Sequence, residues 1–191
     1  MRLQILDCGH RLPTKALLAV IRVVSGHPVV DAVKLALYRP DFYGAGALTH
    51  EAMRGPSEWS VGDRELMAAF VAQAVESPFC IAAHSATSTL WFDDAAKVTA
   101  TLADLDTAPI EEPLRATLRM LGKVAAEQAI DADDMRAVLD VGVTPAQIED
   151  ALAVGLAFGI TARLANAFDF DLATPAAMNA GAKHLLRRGY R

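Results

Sequence analysis

Apolar residues recur along the chain at three- and four-residue steps, the spacing that lines one face of an α-helix. Leu17, Leu18, Ile21 and Val24 form one such set, and Val30, Val33 and Leu37 a second. Strict alternation of apolar and polar positions, which marks a half-buried strand, is nearly absent. The punctuation is helical too. Ser60-Val-Gly-Asp63 has the form of a capping box with aspartate in place of glutamate, opening a helix through Glu65, Leu66, Ala69 and Phe70 to about Val75. Ser77-Pro78 starts the next, which runs to about Trp91. The serine hydroxyl can cap free amides, and proline at the first helical position sacrifices no hydrogen bond.

Asp93 to Ala103 and Pro113 to Gln128 keep the helical pattern, with Asp104 to Glu112 as a loop between them. Asp131 caps a short helix through Leu139, and Gly142 ends it. Thr144-Pro-Ala-Gln147 is a full capping box, so Pro145 to about Phe168 is predicted as the longest helix. It is apolar nearly all round, which predicts burial in the middle of the fold or a contact between subunits. Thr174-Pro175 repeats the device for a final helix. No linker, low-complexity tract or repeat interrupts the pattern. The prediction is a single all-α domain over residues 1–191, with about eight to ten helices.

Composition narrows the class. Hydrophobic residues make up 53% of the 191 and mean hydropathy is +0.25, yet charges interrupt the chain often. The longest apolar stretch, Ala151 to Ala162, falls short of the roughly 20 residues of a membrane span. A homo-oligomer that hides apolar surface between subunits is therefore expected, with no membrane partner. A net charge of −5 argues against nucleic-acid binding. The basic cluster Lys183, Arg187, Arg188 and Arg191 reads as a solvated helix end complementing the dipole. The first residues lack the apolar core and cleavage site of a secretory signal. Two cysteines, Cys8 and Cys80, make no disulfide framework, so a cytoplasmic location is expected.

Candidate chemistry concentrates between Glu65 and His84. Cys80 falls in the first turn after Ser77-Pro78, where free amides and the helix dipole favour a thiolate. Its pKa is expected below the ordinary thiol value of about 8.5. His84 lies one turn later on the same face, within reach to take or return a proton. If the chain bends at Ser77-Pro78, Glu65 can orient that imidazole and raise its basicity. Spacing alone leaves a plainer reading open, with Cys80 a small buried hydrophobe, His84 a satisfied core group and Glu65 on the surface.

Elsewhere the signals are weaker. Cys8-Gly-His10 supplies too few ligands for a zinc site, and His27, His50 and His184 are isolated. Asp93-Asp94 reads as a cap for the helix after Trp91. No phosphate loop, metalloprotease pair or nucleophile elbow is present, and no cofactor or metal is expected. Arg163 and Asn166 interrupt the longest apolar helix and need partners, which could be a loop, a neighbouring subunit or an anionic ligand.

These residues bring a family into view. Its pattern is a Glu, eleven residues, a Cys, two residues, a Cys, three residues and a His, and Glu65, Ser77, Cys80 and His84 stand in those four places. With the blocks GDRELMAAFVAQAVESPFCIAAHSA and VTPAQIEDALAVGLAFGITARLANAFDFDL, the chain resembles the carboxymuconolactone decarboxylase and alkylhydroperoxidase D-like (AhpD-like) superfamily, in particular its peroxidase-related branch. The resemblance covers roughly residues 15–172.

It implies an all-α fold and a homo-oligomer, often a trimer or hexamer. In the disulfide-using members, the thiol at the place of Cys80 attacks a peroxide oxygen, Glu and His relay protons, and the first Cys resolves the sulfenic acid as a disulfide. Ser77 cannot form a disulfide, which excludes that intramolecular cycle here. Cys8 could resolve only if folding brings it within about 7 Å of Cys80 between Cα atoms.

The expected activity is reduction of hydroperoxides through Cys80 alone, with Glu65 and His84 as proton relay and an external thiol as reductant. The decarboxylase members imply an alternative, a lyase or isomerase acting on a small carboxylic acid or lactone with His84 and Glu65 as acid and base. A non-catalytic oligomeric binding protein is the third.

Overall fold

Eleven helices and no strand make up the described residues, 4–41, 43 and 46–190, of the computed structural model. They are α1 (Ile5–Cys8), α2 (Leu12–Ser25), α3 (Asp31–Tyr38), α4 (Gly46–Arg54), α5 (Val61–Ala74), α6 (Pro78–Phe92), α7 (Ala95–Ala103), α8 (Glu112–Ala125), α9 (Ala132–Asp140), α10 (Pro145–Ala167) and α11 (Pro175–Arg188). The all-α expectation holds. Arg191 lies outside the described residues. No helix among those described is long and apolar enough to cross a membrane.

Side-chain caps open five of these helices. Ser60 with Asp63, Asp131 with Asp134 and Thr144 with Gln147 form reciprocal capping boxes. Asp94 and Thr174 cap α7 and α11 through their side chains. No side-chain cap opens α1, α2, α3, α6 or α8, although proline stands in the first turn of α2, α6 and α8. Helix α8 stops at Ala125, short of Gln128, because Glu127 adopts a left-handed φ of 59°. The Gln128 amide then bonds back to Lys123, closing a Schellman turn.

Helix α5 is buried on nearly every side, packed against α6, α8, α10 and α4. Leu66, Met67 and Val71 from it meet Leu118 and Leu121 of α8 and Val154 and Phe158 of α10 in the main core. The other side of α10 is not covered: Leu152, Leu156 and Ile160 stay exposed at successive turns. Burial thus takes only one face of the helix that reads as apolar all round.

The α5–α6 pairing positions the candidate chemistry. Past α5, Glu76 takes φ 53°, and the amides of Glu76 and Ser77 bond back to Gln73 and Ala72 at 3.0 and 2.9 Å. This Schellman turn reverses the chain. The Asn166 side-chain amide donates to the Val75 carbonyl at 2.9 Å and to that of Glu76 at 3.3 Å, so this polar residue of α10 anchors the turn. Arg163 is likewise accounted for by the carbonyls of Gly159 and Ala125 and the Glu127 carboxylate.

At the far end of the pair, the Ser88 hydroxyl donates to the Gly62 carbonyl at 3.1 Å. A Cβ on Gly62 would lie 2.1 Å from Cδ1 of Trp91, so only glycine permits this approach. With both ends tied, Glu65 faces His84.

Candidate active site

Glu65 is wholly buried, and three donors converge on its carboxylate. Nη2 of Arg54 donates to Oε1 at 2.6 Å, and Nδ1 of His84 lies 2.8 Å from Oε2. The Tyr190 hydroxyl lies 2.9 Å from Oε1 and 3.1 Å from Oε2. Burial pushes the carboxyl pKa up, but the hydrogen bond and charge of His84, together with the Arg54 guanidinium, outweigh it and hold the group below the ordinary carboxylate range. An ionised Glu65 can only accept, so Nδ1 of His84 carries a proton and Nε2 is the nitrogen left to exchange one. The Phe158 ring packs edge-on against the imidazole, centroids 4.2 Å apart.

Cys80 sits in the first turn of α6 and is 2% exposed, packed with Ala72, Phe79, Ala162, Ala165 and Met178. The expected low thiol pKa is overturned: burial pushes it up to about 11. From an ordinary value of 9.0, that disfavours the thiolate by about 3 kcal/mol, whereas a helix terminus supplies only about 0.3–1 kcal/mol. The Ser77 hydroxyl beside the sulfur pulls the other way and is outweighed. Ser77 also departs from its expected capping role. It occupies the N-cap with no side-chain cap bond, and among the described residues its buried oxygen has no well-formed hydrogen bond.

Of the four motif residues, the fold joins Glu65 and His84 directly. Cys80 is four residues from His84 on α6, which puts their Cβ atoms about 5–6 Å apart, but no hydrogen bond joins them among the described residues. Cys8 is exposed, donates to the Gln4 carbonyl and is a free thiol, as is Cys80. His10 is buried against the Lys34 carbonyl at 2.8 Å. No group of three or more His, Cys, Asp or Glu residues among those described is arranged to hold a metal ion.

Solved structures share this architecture. An uncharacterized peroxidase-related protein from Silicibacter sp. TM1040 matches with a TM-score of 0.74 at 22% identity, over 87% of this chain and 87% of that one. A second uncharacterized peroxidase-related protein, from Ralstonia eutropha JMP134 and described as an alkylhydroperoxidase AhpD core, matches with a TM-score of 0.72 at 22% identity, over 87% and 88%. This chain has the AhpD-core fold. No family model matches the sequence, and no curated protein does.

Within the AhpD-core fold, two members of the site escaped sequence reasoning. Arg54 ends α4, a helix with no clear start signal, and reaches Glu65 across a loop. Tyr190 follows Gly189, whose φ of 68° turns the chain back toward α4 after α11. A glycine directly after Arg187-Arg188 was the one local hint that the chain reverses there. His50, read as isolated, accepts the Tyr190 amide at 3.4 Å.

Proposed function

We propose that the chain is a cytoplasmic peroxidase-related oxidoreductase that reduces hydroperoxides through Cys80. The observation carrying this reading is the buried Glu65–His84 pair one helical turn from a buried thiol. A thiol with a pKa of about 11 is neutral near pH 7 and needs a base at the moment of attack. Nε2 of His84 takes the thiol proton, and Glu65 stabilises the imidazolium. The sulfur attacks the terminal peroxide oxygen and the O–O bond breaks. The leaving alkoxide takes the proton from His84 and departs as an alcohol, and Cys80 becomes a sulfenic acid. One external thiol displaces water from it to form a mixed disulfide, and a second releases Cys80 as the thiol.

Peroxide treatment followed by a sulfenic-acid trap is expected to label the wild type and not Cys80→Ser. Absence of label at modest peroxide excess sinks the reading. The exposed Leu152, Leu156 and Ile160 on α10, with Val20, Val23 and Val24 on α2, support assembly into a homo-oligomer.

The raised thiol pKa favours a second reading. Here His84 and Glu65 act as acid and base on a small carboxylic acid or lactone, and Cys80 is an inert wall. Activity on such a substrate that survives Cys80→Ala supports it.

A further inference from the structure

Tyr190 has no part in the chemistry above, yet its hydroxyl sits inside the dyad. It lies 2.9 and 3.1 Å from the two oxygens of Glu65 and 3.4 Å from Nδ1 of His84. The residue keeps a partly exposed edge while its hydroxyl end is enclosed. Because Nδ1–H of His84 already points at Oε2, that nitrogen has no lone pair to offer, and the single phenol proton goes to the carboxylate. Several backbone and ring contacts hold the phenol there. Its ring lies near-parallel to the imidazole, 24° between planes, and meets Phe158 edge-on at 5.8 Å. The Arg54 guanidinium lies 5.3 Å over its centroid, and its backbone amide donates to His50.

Three donors therefore share one buried carboxylate, and each weakens what the carboxylate offers to the others. We propose that Tyr190 is a positioning residue that sets how strongly Glu65 supports the His84 imidazolium, and so how readily Cys80 releases its proton. This rests on the reading of Cys80 as the reacting thiol. Other charged or titratable groups face the site as follows. Helix α4 contributes His50 and Arg54. Arg64 of α5 lies close enough to act on Glu65, with its guanidinium on the carbonyls of Ala52 and Gly55. Helix α6 contributes Cys80, α10 faces the dyad with the apolar Phe158 ring, and α11 offers the Leu185 carbonyl to Arg54.

Tyr190→Phe removes the hydroxyl and keeps the ring packing. Freed of one donor, Glu65 binds Nδ1–H more strongly, and the low-field proton resonance of His84 is expected to move further downfield. The pH midpoint of Cys80 alkylation is expected to fall by about half a unit or more, since a better-supported imidazolium draws the thiol proton more readily. Replacing the three tyrosines by 3-fluorotyrosine, a stronger phenol donor, is expected to move the resonance the opposite way. A packing role alone moves neither signal. An unchanged resonance and an unchanged midpoint in a folded Tyr190→Phe protein overturn the proposal. The resonance reads the dyad without peroxide, so a wild type that forms no sulfenic acid refutes the peroxidase reading and leaves this result to stand separately.

Discussion

Glu65 and His84 are nineteen residues apart in sequence and share a 2.8 Å hydrogen bond between two buried side chains. A tight turn at Glu76 and Ser77 and a glycine-only approach at Gly62 fix the register that brings them together.

Cys80 is expected to make the protein sensitive to alkali. Its folded pKa lies above the unfolded value, so the folded state holds the proton more tightly. The associated stability is fully present below about pH 9 and is lost as pH rises toward 11, amounting to about 3 kcal/mol at most. Chemical denaturation between pH 8 and 11 is expected to show a decline that Cys80→Ala flattens.

Glu65 acts at the other end of the pH scale. Its folded pKa is held below the ordinary 4.5, so its contribution is present above that value and is lost as pH falls through the lower one. Glu65→Gln removes the charge that Arg54 and His84 share, and is expected to cost about 3–5 kcal/mol, as breaking a buried ion pair does. Its acid unfolding curve should also be shallower than that of the wild type, as followed by circular dichroism.

Gly62→Ala places a methyl group 2.1 Å from Trp91 and 2.8 Å from Phe92. The Trp91 and Phe92 rings or the helices themselves must shift at that end, with an expected loss of about 1–3 kcal/mol by denaturant titration. The same variant should weaken the Glu65–His84 bond, visible in the low-field His84 proton resonance. A wild-type melt and resonance contradict the role given to this glycine.

Leu156, 56% exposed in the middle of the uncovered α10 face, is the place to test assembly. Leu156→Glu is expected to lower the mass measured by sedimentation while leaving helical content intact. An unchanged mass removes α10 as the contact.

Helix starts were legible because capping is local: Ser60, Asp131 and Thr144 each satisfy amides within three residues of themselves. Helix ends were less so. Glu76 and Glu127 end helices in left-handed conformations that normally favour glycine, and nothing in their identity announces this. Asn166 shows the same divide, since its polarity marked it as needing a partner but only folding chose the Val75 and Glu76 carbonyls.

For the site itself, sequence alone determined that Cys80 and His84 lie one helical turn apart on α6, and that Ser77 cannot supply a resolving thiol. Tertiary structure decided what those groups are chemically. Arg54 and Tyr190 reach Glu65 from elements 11 and 125 residues away, and no short-range periodicity encodes such a meeting. Cys80 illustrates the physical reason most directly. The dipole of its own helix is a local property that favours a thiolate, whereas the desolvation that opposes it comes from α5, α10 and α11 closing around the sulfur, and it is the larger effect.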